Sequence, residues 1–256
     1  MVETNYKGII LAGGSGTRLY PVTRVVSKQL LPIYNKPMIY YPLSSLINSG
    51  VREIMIITTP QDKVLFQRLL GDGSQWGVSF EFAVQKKPEG IAQALIIADE
   101  WLKDSAPILI LGDNLFFGPD FFSIVNNSLK NNDGATIFAY NVKDPERFGV
   151  VQFDKNNNAL SIEEKPKNPK SSWAVTGLYI FDTNAVDYVK NLKKSERGEY
   201  EITDLNQKYL NERKLKVILL DKKFSWLDTG THDSLLEASN FIKDIEKKFN
   251  TEITKL

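Results

Sequence analysis

The stretch that most constrains the fold is Lys7 to Arg18, KGIILAGGSGTR. Gly8 to Ala12 is a short unbroken apolar run, the pattern of a strand buried on both faces of a parallel sheet. It runs directly into Gly13, Gly14, Ser15, Gly16 and Thr17, and then into Arg18. Three glycines in four positions let the backbone fold back and present converging N–H groups, a cradle suited to a polyphosphate. Arg18 adds a fixed positive charge at the end of the loop. The loop is not a Walker loop, because no Gly-Lys-Ser/Thr follows. It is not G-x-G-x-x-G either, because Thr17, Arg18 and Leu19 come after Gly16. A plain tight turn would use the same glycines, so support must come from elsewhere in the chain.

That support begins with the order of patterns that follows. Pro21 to Leu31 reads as irregular or weakly helical, and Pro37 to Ser49 as a helix closed by Gly50. Strand patterns at Glu53–Thr58, Ser79–Val84 and Pro107–Leu111 alternate with helical ones at Gln61–Leu70 and Ile91–Leu102. This alternation predicts a doubly wound α/β fold with a mostly parallel, Rossmann-like sheet over about 1–115. Ligands of such sheets sit at the carboxyl ends of the strands, where the glycine loop and Asp113 both fall. The second half, about 116–232, is richer in strands. It shows a hairpin from Gly149 to Glu163 around Asn156-Asn157-Asn158, strands at Ala135–Val142, Ala174–Phe181 and Leu215–Leu220, and helices at Thr183–Leu192 and Ile202–Glu212. A final amphipathic helix runs from Asp233 to Phe249, and the composition turns polar over 246–256. One domain over 1–245 is expected, with a short polar tail.

Composition removes several classes of function. The 256 residues carry 32 basic and 31 acidic side chains, with no basic excess to bind nucleic acid. There is no cysteine and one histidine, His232, so thiol catalysis, disulfides and multi-histidine metal sites are excluded. No apolar run approaches the ~18 residues of a membrane span, and the first residues lack a signal pattern. A cytoplasmic location is the expectation.

The remaining chemistry lies in a few charged and amide side chains. Asp113, in Leu111-Gly112-Asp113-Asn114, and Asp228, in Trp226-Leu227-Asp228-Thr229-Gly230, come from separate segments. Two such carboxylates hold Mg²⁺ against substrate phosphates, but each also suits a turn cap. Lys28 and Lys165 lie beside prolines and apolar residues, where a cation neutralises phosphate charge, or serves only as a solvated surface group. Gln85 follows a strand, and its amide carries the donor and acceptor needed to read a pyrimidine edge. His232 reads as a helix-start residue next to Asp233 rather than as a base.

The ordered set of motifs resembles the sugar-1-phosphate nucleotidyltransferases, and among them the glucose-1-phosphate thymidylyltransferases, over about 7–245. The motifs are LAGGSGTRL from Leu11, SKQLLP from Ser27, KPMIYYPL from Lys36, GDGSQWG from Gly71, LGDN from Leu111 and DPERFGVV from Asp144. EEKP from Glu163, AVTGLY from Ala174, GEYEITD from Gly198 and WLDTGTH from Trp226 complete the set. The resemblance implies a nucleotide-diphospho-sugar transferase fold, dTTP and glucose 1-phosphate as substrates, Mg²⁺ as cofactor, and a homotetramer or homodimer. It implies that Leu11, Gly13 and Gly14 meet the nucleotide and that Ser15, Gly16 and Thr17 cradle its phosphates. Arg18 and Lys28 would stabilise charge at the α-phosphate and the leaving pyrophosphate. Gln29, Gln85, Pro88 and Gly90 would face thymine and its sugar. Asp113 and Asp228 would hold Mg²⁺. Asn114, Phe148, Gly149, Glu164, Val175 and Trp226 would surround the glucose unit, and Lys165 would pair with its phosphate.

Two departures stand out. Phe148 occupies a position where the family commonly has tyrosine, which removes a hydroxyl and up to one hydrogen bond to the sugar, about 0.5–1.5 kcal/mol. The sequence ends at Leu256, short of the C-terminal extension of longer members, and Phe117 and Pro119 replace Tyr and His near the regulatory nucleotide site that the extension helps to build. Loss of feedback by dTDP-sugars through that site is the expectation. UTP, CTP or another sugar phosphate as substrate, and a sugar-nucleotide-binding subunit without activity, are the competing readings.

Overall fold

The computed structural model describes residues 5–14, 16–156 and 158–254. Strand β1 (Tyr6–Ala12) is followed by a ribbon of two short strands, β2 (Pro32–Ile33) and β3 (Lys36–Pro37), and by α1 (Tyr40–Asn48). Then come β4 (Glu53–Thr58), α2 (Lys63–Leu70), β5 (Ser79–Val84), α3 (Gln93–Leu102) and β6 (Ala106–Leu111). The second half contains β7 (Asn114–Phe117), α4 (Phe121–Lys130), β8 (Ala135–Asn141), β9 (Gly149–Phe153), β10 (Ala159–Glu164) and β11 (Trp173–Phe181). It closes with α5 (Ala185–Lys190), α6 (Ile202–Asn211), β12 (Leu215–Leu220), β13 (Ser225–Asp228) and α7 (His232–Phe249).

Strands β5, β4, β1 and β6 lie side by side and parallel, as the alternation predicts. The sheet does not stop there. β11 pairs antiparallel with β6 through Leu178–Ile180, and with β8 on its other side. Its first residues reach β9, which continues into the β9–β10 hairpin. The result is one nine-stranded mixed sheet that runs through both halves of the chain.

Successive strand residues face opposite sides of the sheet, and the core divides accordingly. Ile10, Ile54, Ile56, Ile108 and Ile110 pack on one face with residues of α1 and α4. Ile9, Met55, Ile57 and Leu109 pack on the other with residues of α3, α5 and α6. Helices on both faces explain why the central strands read as continuous apolar runs. A third cluster joins Ala238 and Ile242 of α7 to Ile33, Met38, Tyr41 and Leu115.

Three differences from the sequence reading have physical causes. The helix expected from Pro37 begins at Tyr40, because Lys36 and Pro37 are extended in the β2–β3 ribbon, which the Met38 and Ile39 amides prolong by donating to Leu31 O and Gln29 O, both at 2.9 Å. Helix α4 was not expected. Phe121, Val125 and Leu129 are buried at four-residue spacing, but Asn126, Asn127 and Ser128 between them favour turns over helices. The pairing of β13 with β7 was not expected either, and it builds the site. After Phe249, Ile253 N donates to Glu246 Oε1 at 3.0 Å and the Lys36 ammonium pairs with Glu252, so 250–254 fold back on α7 and β3.

Candidate active site

The glycine loop leaves the carboxyl end of β1 and turns back at once. Gly14 and Gly16 have φ of 101° and 58°, a left-handed backbone that glycine adopts without penalty. Thr23 Oγ1 donates to Gly16 O at 2.7 Å and pins the loop from outside. Gln29 Nε2 donates to Gly13 O at 3.4 Å, while its Oε1 accepts from Ser27 Oγ at 2.7 Å. Gly13, Gly14, Gly16, Thr17, Arg18, Lys28, Gln29, Asp113 and Gly230 surround a cavity of about 220 Å³. Ser15 lies outside the described residues.

Gln85, at the end of β5, is buried. Its Nε2 donates to Gln93 Oε1 at 2.7 Å and to Gly90 O at 3.4 Å. Its Oε1 would stand 2.7 Å from a Cβ on Gly13, so the amide oxygen lies against the loop and Gly13 leaves room for it. Leu11 is the last residue but one of β1, and its side chain would stand 3.8 Å from a Cβ on Gly13. Pro88 and Gly90 lie in the loop after β5 and do not line this cavity or the larger one beside it.

The two aspartates are brought together by the β7–β13 pair, in which Asp228 stands opposite Asn114. Thr229 Oγ1 donates to Asp113 O at 3.0 Å and closes the junction. Asp113 Oδ2 accepts from the buried Lys28 Nζ at 2.6 Å, and Asp113 Oδ1 accepts from Asn114 Nδ2 at 2.9 Å. Burial works against the Asp113 charge, but the Lys28 ammonium and these hydrogen bonds outweigh it and hold its pKa below the ordinary carboxylate value. Asp228 shifts the other way. Burial, then the neighbouring Asp113 charge, raise its pKa against the opposing pull of Lys28, Arg147 and Arg18.

Asn114 is the joint between these elements. Its Oδ1 accepts from Trp226 Nε1 at 2.6 Å and from Gly177 N at 3.0 Å, which turns its NH₂ toward Asp113. Gly177 sits in the irregular part of β11, and a Cβ there would stand 2.6 Å from Asn114 Oδ1.

On the other side of the carboxylates lies a larger cavity, about 490 Å³. Asn114, Phe148, Gly149, Glu164, Lys165, Val175 and Trp226 all line it, with Arg18, Asp113 and Asp228. The whole sugar-side set expected from sequence therefore converges here. The rings of Phe148 and Trp226 meet edge to face at 5.1 Å. Glu164 Oε2 accepts from Thr203 Oγ1 at 2.5 Å. Lys165 has φ of 45°, a strained conformation for a residue with a side chain, and its N–H donates to Phe148 O at 3.0 Å. Arg18 and Asp113 line both cavities, so the two spaces share one charged wall. Among the described residues no group of three or more His, Cys, Asp and Glu side chains forms a metal cluster.

Comparison with known proteins shows the family of the chain. A family model described as nucleotidyl transferase matches residues 7–245. The chain belongs to the nucleotidyl transferase family. A glucose-1-phosphate thymidylyltransferase of Neisseria gonorrhoeae is 58% identical to it over 98% of this chain and 87% of the relative. One from Mycobacterium tuberculosis is 50% identical over 97% of this chain and 86% of its own. A crystal structure from Bacillus anthracis, solved in complex with sucrose, superposes with a TM-score of 0.87 at 44% identity, covering 96% of this chain and all of that one. A UDP-glucose pyrophosphorylase complexed with UDP-glucose, at 21% identity and a TM-score of 0.82 over 94% of this chain and 99% of its own, shares the fold.

Within this nucleotidyl transferase, several residues at the site were not singled out from sequence. Arg147, Gly177, Tyr179 and Thr203 line the larger cavity, and Gly230 the smaller. A Cβ on Gly230 would lie 3.0 Å from Arg18 Nη1 and 3.1 Å from Asp228 Oδ2, so glycine is what admits both charged groups. The Asp228-Thr229-Gly230 run held that signal, since a glycine two residues past an acidic one at a strand end marks close approach. His232 opens α7 under a Thr231–Ser234 capping box, and its Nε2–H donates to Tyr20 O at 3.2 Å, in keeping with a structural role. No helix among the described residues is long and apolar enough to cross a membrane.

Proposed function

We propose that this enzyme transfers dTMP from dTTP to α-D-glucose 1-phosphate, giving dTDP-glucose and pyrophosphate. The observation that carries the reading is the shared wall: Arg18 and Asp113 face both a glycine-loop cavity and a cavity lined by the sugar-side set. A nucleotide in the first and a sugar phosphate in the second would meet there. The attacking phosphate oxygen is already an anion, so no general base is required. Attack forms the new oxygen–phosphorus bond in line as the bond to pyrophosphate breaks, and the task of the protein is positioning and charge neutralisation.

The residues divide that task. Backbone N–H groups of the Gly13–Thr17 loop receive the triphosphate, and Arg18 and Lys28 balance charge at the α-phosphate and on the leaving pyrophosphate. Gln85 presents its Oε1 as an acceptor for the N3–H of thymine, with Leu11, Gln29, Pro88 and Gly90 around the nucleoside. Glu164, Gly149 and Val175 hold the glucose unit against Phe148, Asn114 and Trp226, and Lys165 pairs with its phosphate. Asp113 and Asp228 fit a divalent cation: two half-buried like charges stand close together, and the repulsion at Asp228 is what a cation would relieve. Mg²⁺, when bound, would neutralise phosphate charge between them, with phosphate oxygens and water as its other ligands.

Pyrophosphate release tests the reading across a matrix of dTTP, UTP and CTP with glucose 1-phosphate and its amino- and deoxy-sugar counterparts. Turnover should be highest for dTTP with glucose 1-phosphate. Preference for another pair would reassign the substrates, and no release with any pair would favour a binding subunit.

A further inference from the structure

Arg147 is the one strong cation at the mouth of the larger cavity that the proposed reaction leaves without a task. It ends a short 3-10 turn, Pro145–Arg147, and its guanidinium bridges two carboxylates. Nη1 donates to Asp144 Oδ2 at 2.6 Å, and Nη2 to Asp228 Oδ2 at 3.1 Å. The group also lies 5.1 Å from the centre of the Phe148 ring. Asp144 belongs to the same turn, whereas Asp228 belongs to β13, so the second contact crosses the cavity mouth.

The two aspartates are therefore held very differently. Asp113 is fixed by a buried lysine and by the Asn114 amide. Asp228 is held by a side chain that is 40% exposed and anchored elsewhere. An exposed ion pair of this kind is weak and breaks readily. When it breaks, Asp144 still neutralises the guanidinium, and Nη2 is left pointing into the space that Lys165 also lines.

We propose that Arg147 is the resident counter-ion of Asp228, and that it yields this carboxylate to the divalent cation and turns to the phosphate of the sugar substrate. The inference rests on the reading of Asp228 as a metal carboxylate. In the free enzyme the pair shields Asp228 from the like charge of Asp113. In the loaded enzyme the same guanidinium joins Lys165 on the phosphate, so cation and sugar phosphate reinforce each other's binding through one side chain. Lys165 alone is poorly placed for that charge, because its Nζ lies 3.4 Å from Glu164 Oε1.

The test is a Mn²⁺ titration of the nucleotide-free protein, read by water-proton relaxation, for wild type, Arg147→Gln, Arg147→Lys and Asp228→Asn. Removing the competing guanidinium should tighten Mn²⁺ binding about two- to fivefold in Arg147→Gln. The same variant should raise the KM for glucose 1-phosphate about tenfold, since a hydrogen bond to a charged group is lost, with the KM for dTTP unchanged. Arg147→Lys should recover part of the KM effect. Equal Mn²⁺ affinity in wild type and Arg147→Gln overturns the exchange, whatever the kinetics. Mn²⁺ binding that survives intact in Asp228→Asn would overturn the metal assignment itself, and the proposal with it.

Discussion

The two cavities are built on different principles. Among the described residues the smaller is made almost entirely from one stretch of chain: Gly13, Gly14 and Gly16 to Leu19 supply its wall, with Lys28 and Gln29 close behind, and only Asp113 and Gly230 arrive from afar. Three of its lining residues are glycines, two of them with positive φ, so its shape depends on dihedral angles. The larger is made of residues from segments scattered between Arg18 and Asp228, held in place by strand pairing and hydrogen bonds. The first is a conformation of a loop; the second is a consequence of the fold. Damage to the first should appear as strain, and damage to the second as lost contacts.

The largest effects are expected where the two meet. Asp113→Asn and Asp228→Asn should each lower turnover by about 10²–10³-fold or more in a pyrophosphate-release assay, because each removes charge placed for the transition state. Their effects on stability should have opposite signs. The Asp113 pKa is depressed, so its charge stabilises the fold above the ordinary carboxylate range and is lost on acidification; the amide should lower the Tm of the metal-free protein at neutral pH. The Asp228 pKa is raised, so the fold loses stability as pH climbs through that value; the amide should raise the Tm. Shifts of the same sign in the two variants would break the contrast between the carboxylates.

A pair of glycine substitutions separates the cavities themselves. At Gly14 the φ of 101° penalises alanine by about 1–2 kcal/mol although no neighbour lies within reach of a Cβ. Gly14→Ala should raise the KM for dTTP about tenfold and leave that for glucose 1-phosphate alone. At Gly149 the dihedral is not the obstacle; a Cβ would lie 3.1 Å from Thr203 Oγ1 and 3.5 Å from Glu164 Oε2. Gly149→Ala should raise only the KM for glucose 1-phosphate. Equal effects on both substrates in either variant would mean that the cavities do not divide the substrates. The smallest change is expected from Phe148→Tyr. A hydroxyl added to the ring beside Trp226 should lower the KM for the sugar phosphate about two- to tenfold, the worth of one hydrogen bond. An unchanged KM would show that the hydroxyl finds no partner there.

The same contrast sets what could be read from the chain. Strands at Glu53–Thr58, Ser79–Val84, Gly149–Phe153 and Leu215–Leu220 stand within the limits their patterns predict, because a pattern of a few residues contains its own information. Helix α1 starts later than its pattern because Lys36 and Pro37 pair with Pro32 and Ile33 in an extended ribbon. The sugar-side set converges as the motifs imply, yet nothing in its spacing says how Asn114 is oriented. That orientation is fixed by Trp226, 112 residues away, and by a glycine in β11.

The parallel core, the glycine loop and the identity of the charged groups are legible from residue order alone, since apolar periodicity, glycine spacing and residue chemistry are local properties. Nothing local shows that β13 lies against β7, that Asp228 comes close to Asp113, or that Arg147 pairs with Asp228; those are settled by the packing of the whole chain. Such contacts join segments with no shared local pattern, and they form because the fold as a whole buries its apolar faces; the partners of each charge are then set by what that burial brings within reach.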